Sequence, residues 1–201
     1  MRVHSPKHMV LRASLLATTA LLALTFSSTA AAQHDWAAKD VKGRSVKTAD
    51  YRGKVLVVFV SSADTRDQMK PVIPKLVTRY GKHPKVAQLT IVDLREAPFA
   101  WKAAEKVNDE VTDRIKGTHD RTVKRMNAAL VKDGQKPIAG LDKKLHIVLD
   151  WKGKLVKKYN KVHNTSKFIN IIVIDPAGKQ VGAWKLQDFE TAMKKVEELA
   201  K

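Results

Sequence analysis

Few residues in this chain could do chemistry. None of its 201 residues is cysteine, which removes a thiolate nucleophile, a cysteine-held zinc ion, a disulfide framework and any dithiol redox reaction. Two carboxylates, Asp64 and Asp67, stand three residues apart where a helical stretch begins, with Thr65 and Arg66 between them. A helix start presents free N–H groups and positive partial charge, so carboxylates are stabilised there. Capping alone accounts for both, with Asp64 at the N-cap and Asp67 at the third helical position. The same four residues, Asp64, Thr65, Arg66 and Asp67, form the candidate site for a ligand or partner.

Asp93 closes an apolar run and would join Asp64 to face a hard cation. No loop of spaced oxygen ligands accompanies the pair, so a solvated strand-end carboxylate is the plainer expectation. His34, His83, His119, His146 and His163 show no paired ligand spacing. His146 lies inside an apolar run and reads as a hydrogen-bonded structural residue. Ser61-Ser62 lacks the flanking glycines of a nucleophile elbow, and there is no glycine-rich phosphate loop. The expectation is no catalytic residue, no metal and no cofactor.

Charge points elsewhere. Lys and Arg number 38 against 20 Asp and Glu, a net +18, a field that favours anionic partners. Arg121, Lys124 and Arg125 fall at helical spacing and share one face. They form the candidate face for a polyanion such as lipopolysaccharide, anionic lipid, cell-wall polymer or extracellular DNA. A solvated face that keeps the protein soluble accounts for them equally well. No nucleic-acid-reading motif is present, so sequence-specific nucleic-acid binding is not expected.

Residues 1–32 read as an address. Arg2, Lys7 and Arg12 precede an apolar run from Ala13 to Phe26, and Ala30 and Ala32 are the small residues of a cleavage site before Gln33. That is the form of a secretory signal peptide, too short in its apolar part to span a bilayer. The remaining 169 residues hold 35 basic and 20 acidic side chains, a net +15. The expectation is a periplasmic or secreted protein with no transmembrane segment after cleavage.

The elements that would position these residues alternate. Lys54–Ser61 is the apolar run of a strand buried on both faces, and Val86–Val92 is the next strand, ending at Asp93. Between them Asp64 to Tyr80 has helical spacing, with a kink expected near Pro74. Between Arg95 and Asp142 two helices are expected. The first runs from Pro98 to Lys116; the second is capped by Thr118 or Asp120, turns Val123, Met126, Leu130 and Val131 inward, and ends at Gly134. Leu145–Leu149 is a third strand, Lys154–Lys161 a short basic helix and Phe168–Ile174 a fourth strand. Asp175-Pro176-Ala177-Gly178 is a type I turn, Gln180–Trp184 pairs back, and a helix carrying Phe189, Met193, Val196 and Leu199 closes the chain.

Two blocks carry a family resemblance. Gly43-Arg44-Ser45-Val46 with Tyr51-Arg52-Gly53-Lys54-Val55-Leu56-Val57-Val58-Phe59 resembles the opening of TlpA-like and redoxin domains. The stretch His146-Ile147-Val148-Leu149-Asp150 through Gly153 to Tyr159, then Ile172-Val173-Ile174-Asp175 through Gly178 to Gly182, resembles their closing half. The resemblance implies a thioredoxin-like α/β fold: a central sheet of four to five strands flanked by helices, with a helical insertion at about 96–140 that has no counterpart in the family. The chain departs from the family where its chemistry sits. The redox cysteine pair would fall on Asp64-Thr65-Arg66-Asp67, and the proline facing it near Ser166–Asn170, where none occurs. The chain is also similar to exported, cysteine-free proteins of the YtfJ type, which share an Asp-x-x-Gly hairpin near the C-terminus.

The reading is one domain over 33–201, acting as an exported, redox-inactive binding or scaffolding module with a basic surface for anionic envelope components. The rival is a redox accessory or enzyme that depends on a cofactor or a partner's thiols and uses the helix end at Asp64–Asp67. A filled helix end would favour the first, a concave one the second.

Overall fold

The computed structural model describes residues 35–96 and 109–201. The expected signal peptide and the first part of the expected insertion, 97–108, lie outside the described residues. No helix among the described residues is long and apolar enough to cross a membrane.

Among the described residues, seven strands form two sheets. A hairpin of β1 (Ala37–Lys39) and β2 (Ser45–Lys47) precedes a five-stranded sheet ordered β5-β4-β3-β6-β7. Its members are β3 (Val55–Ser62), β4 (Val86–Asp93), β5 (Ile147–Asp150), β6 (Asn170–Ile174) and β7 (Gln180–Lys185). β4 runs parallel to β3 and to β5, whereas β6 is antiparallel to β3 and to β7.

Alternation along the strands divides the core. Val55, Val57, Phe59, Ile171 and Val173 face one side, against α1 (Val72–Tyr80) and the C-terminal helix. Leu56, Val58, Val60, Ile172 and Ile174 face the other, against Trp36 and Val46 of the hairpin segment and Val156 and Tyr159 of the stretch after β5. Because both sides are covered, these strands read as unbroken apolar runs.

The helices differ from expectation in instructive ways. The segment from Asp64 to Tyr80 is a 3-10 turn, Arg66–Met69, followed by α1. The break falls at Pro71, which has no N–H to give. Pro74 then lies in the first turn of α1, where the backbone N–H groups have no helical partner anyway, so no kink is needed there. Residues 98–108 of the first expected helix lie outside the described residues; from Asp109 on, its remainder and the second expected helix run through Gly117 as one, α2 (Asp109–Lys132). A mid-helix glycine costs only about 1 kcal/mol, and Met126 and Leu130 packing with Val77 of α1 offsets it. Val131, expected inside, is 58% exposed. α2 ends at Gly134 as expected, with a left-handed φ of 70°. A short α3 (Leu141–Lys144) leads into β5, and α4 (Phe189–Ala200) buries Phe189, Met193 and Val196 on the sheet. Between Lys154 and Lys161 only Val156–Lys158 forms a 3-10 turn.

Candidate functional site

Strand register assembles one polar cluster at the carboxyl ends of β3 and β4. Ser62 lies opposite Asp93 in the parallel pair, and the segment entering β6 lays Thr165 across both. The Thr165 hydroxyl donates to Asp93 Oδ2 at 2.8 Å, and its carbonyl accepts from the Thr65 hydroxyl at 3.1 Å. The Ser62 N–H donates to Thr65 Oγ1 at 2.9 Å. In return the Ser62 hydroxyl accepts from the N–H groups of Asp64 and Thr65 at 3.1 and 3.3 Å. These hydroxyls, not the carboxylates, organise the turn, because a side-chain oxygen two or three residues back is well placed to accept from such N–H groups.

Asp93 is buried, which corrects the expectation of a solvated carboxylate. Arg95 grips it with Nε at 3.0 Å from Oδ1 and Nη2 at 2.6 Å from Oδ2, and the Arg95 N–H adds a bond at 3.1 Å. Burial by itself would raise the carboxyl's pKa. The hydrogen bonds from Arg95 and Thr165 outweigh it and hold Asp93 below the usual carboxylate range. The turn after β5 presses on the same arginine. Gly153 is left-handed at φ 68°, and a Cβ there would run into the Arg95 side chain, so the position needs glycine twice over.

Of the four expected site residues, only Thr65 enters the cluster, and it is buried. Asp64 is not the N-cap: the 3-10 turn that follows begins after Thr65, and Asp64 lines the outer rim. Asp67 is exposed and pairs with Lys70 at 3.0 Å. The side chain of Arg66 lies outside what the structure describes. Arg121, Lys124 and Arg125 are exposed on α2, with Arg121 donating to the Thr118 hydroxyl at 2.9 Å. His146 is structural as expected, its Nδ1 2.9 Å from the buried carboxylate of Asp40, which Arg44 also holds at 2.7 Å.

The space left at the cluster is about 10 Å³, lined by Ser62, Ala63, Asp64, Asp93, Glu96, Thr165 and Ser166. That is room for one water at most. The hydroxyls and carboxylate satisfy one another, and among the described residues no three histidine, aspartate or glutamate side chains converge for a metal ion. A larger open groove, about 380 Å³, lies beside it between Gln68, Pro71, Val72, Phe168, Ile169 and Lys185 to Gln187. There Lys185 Nζ sits 4.2 Å over the Phe168 ring, a cation–π contact.

Sequence reasoning missed Arg95 and Thr165. The Asp93-Leu94-Arg95 spacing was a usable signal, since residues two apart at a strand end share a side. Thr165 carries none.

No protein-family model matches the chain, and no curated protein does. Among solved structures it is similar to the pneumococcal exposed lipoprotein thioredoxin of Streptococcus pneumoniae at 18% identity and TM-score 0.49, over 82% of this chain and 99% of that one. A second is a putative protein disulfide isomerase from Bacteroides thetaiotaomicron, at 17% identity and TM-score 0.49, over 83% and 86%. A third is a secreted disulfide oxidoreductase of Mycobacterium tuberculosis, at 12% and 0.47, over 81% and 97%. The chain's own topology gives the fold: a parallel β3–α1–β4 unit, joined through α2 and β5 to an antiparallel β6–β7 hairpin and a closing helix, is thioredoxin-like.

Proposed function

We propose that this protein is an exported, redox-inactive thioredoxin-like module that binds or scaffolds, and that its basic surface meets anionic components of the cell envelope. One observation carries the reading. The place at which such a fold does thiol chemistry is here a closed cluster of Ser62, Thr65, Thr165, Asp93 and Arg95, with about 10 Å³ to spare. A chain without cysteine cannot form a mixed disulfide. What remains is a folded scaffold with an excess of positive charge, much of it on exposed side chains. The exposed trio Arg121, Lys124 and Arg125 is one candidate contact. Export rests on the form of residues 1–32, and N-terminal sequencing of the exported chain should begin at Gln33.

The test is retention on immobilised heparin and lipopolysaccharide across a salt series. The expected result is strong retention that falls steeply with salt, since exposed charges beyond about 10 Å are screened at 0.1 M. Retention indifferent to salt, or none, would end the reading.

A further inference from the structure

The face of the sheet opposite α1 and α4 is covered by two segments with a common charge pattern. Residues 151–169 hold six lysines and no aspartate or glutamate. Val156 and Tyr159 of this stretch are buried and Leu155 and Val162 packed against the same cluster, while Lys152, Lys154, Lys157 and Lys161 point outward and exposed. In the β1–β2 hairpin Ala38 and Val46 turn inward, and Lys39 and Lys47, one position along, are exposed. Both segments cover one cluster, so these six lysines share one side of the molecule.

Among the described residues none of the six is in an ion pair with a carboxylate. Asp40 is buried on Arg44 and His146, and Asp35 is tied to Arg52. The backbone beneath the lysines is fixed. Asp150 accepts three N–H groups, from Lys154, Leu155 and Val156, at 2.8–2.9 Å. Gln180 clamps Asn160 with two bonds of 2.9 and 2.8 Å, and Trp36 Nε1 donates to the Tyr159 hydroxyl at 2.8 Å. Lys161 itself is held left-handed at φ 58°, a conformation that ordinarily falls to glycine or asparagine. A backbone already ordered in the free protein loses little further entropy on binding.

We infer that this lysine face docks on a bilayer surface of anionic phosphate headgroups. The inference rests on the reading of the protein as an exported, anion-binding module, and names the surface and partner. Residues 151–169 contain no arginine, so the face lacks the forks that grip one phosphate bidentately. Separate ammonium groups sum instead into a field suited to a charged plane. Val131, on α2, is the exposed large apolar side chain among the described residues, so this face offers no stacking platform for nucleic-acid bases. α2 is a weaker candidate, because its charges are mixed: Asp113 pairs with Lys116 and Asp120 with Lys42.

The test is co-sedimentation of the full chain with vesicles of phosphatidylcholine containing phosphatidylglycerol. Pure phosphatidylcholine vesicles give the baseline and cancel any contribution of the apolar segment 13–26. Two variants are compared with the parent: Lys152→Gln/Lys154→Gln/Lys157→Gln/Lys161→Gln, and Arg121→Gln/Lys124→Gln/Arg125→Gln. Each lysine near an anionic surface contributes roughly fivefold, so the first variant should lose several hundredfold; the second should stay within a few fold of the parent. Full binding by the lysine variant with loss in the arginine-containing one overturns the inference and leaves the anion-binding reading standing. So does parental retention on heparin without preference for phosphatidylglycerol, which makes the face a polymer site. Binding to neither vesicles nor heparin defeats both.

Discussion

The two sides of the central sheet are held by different means. On one side α1 and α4 lay Leu76, Tyr80, Phe189, Met193 and Val196 on the strands, with Met69 of the preceding 3-10 turn beside them, and their outer charges are mixed and paired, as in Arg79 with Glu190 and Glu197. On the other side a hairpin of two three-residue strands and a nearly helix-free loop do the covering. That loop is fixed at points: Asp150 on three N–H groups, Trp36 on Tyr159, Gln180 on Asn160. Volume secures the first side; on the second, directed hydrogen bonds add to the apolar contacts of Trp36, Val46, Val156 and Tyr159. A thin cover held by a few bonds leaves most of its side chains free to face outward, and here they are lysines.

The contrast should appear most strongly where volume is removed. Phe59, buried on the helix side, is among the largest fully enclosed side chains. Phe59→Ala should cost about 3–5 kcal/mol in denaturant unfolding, the range for such truncations, with protection lost across both α1 and α4. On the loop side the sensitive residue is polar. Asp150→Ala strands three N–H groups, and roughly 2 kcal/mol should be lost, because the loop can turn those groups toward water. Hydrogen exchange should then quicken at 154–159 and stay unchanged in α4. Equal loosening of α4 would mean the two covers are not separable.

Acid should act through the polar clusters before it reaches either apolar face. Asp93 and Asp40 are both pushed upward by burial. Arg95 and Thr165 overcome this at Asp93, and His146 and Arg44 at Asp40, so both sit below the ordinary carboxyl value. A carboxyl depressed on folding stabilises above its unfolded pKa of about 3.9, and that stability is lost as pH falls through the folded value. Stability should therefore be level near neutrality and drop below about pH 4. Asp93→Asn should lower stability at pH 7 by about 1–3 kcal/mol and flatten the acid limb. An acid limb as steep in that variant as in the parent would remove Asp93 from the account.

Much of this architecture was legible in the sequence, for reasons that also mark the limit. β3 and β6 announce themselves because burial on both faces forces continuous apolar runs. Asp175 and Gly178 specify their turn, the Gly178 N–H donating to the Asp175 carbonyl at 2.8 Å. β1 and β2 are too short, as Ala-Ala-Lys and Ser-Val-Lys, to show any period. α2 passes through Gly117 because contacts with α1 outweigh a local weakness. At the candidate site a helix is expected from Asp64, but a 3-10 turn after Thr65 comes first and the helix begins at Val72; the hydrogen bonds expected of the carboxylates are made by Ser62 and Thr65. The bond from Thr65 to Thr165 spans a hundred residues, and no local spacing encodes it.

The smallest expected effect bears most directly on the loop side. Lys161 is left-handed at φ 58°, alone in this among the described non-glycine residues. An L side chain there costs about 1–2 kcal/mol relative to a right-handed conformation, and glycine would be free of that cost. Glycine also has more freedom to lose from the unfolded chain, by about 0.5–1 kcal/mol. The two terms oppose, and the strain is the larger. Lys161→Gly should therefore stabilise by somewhat under 1 kcal/mol, raising Tm by about 2–3 °C for a domain of this size. A rise in Tm together with weaker binding to anionic vesicles would place Lys161 where charge, and not stability, sets the residue. A fall in Tm would show that the Gln180 clamp on Asn160 relieves the strain, and that the loop's conformation is intrinsic to its sequence.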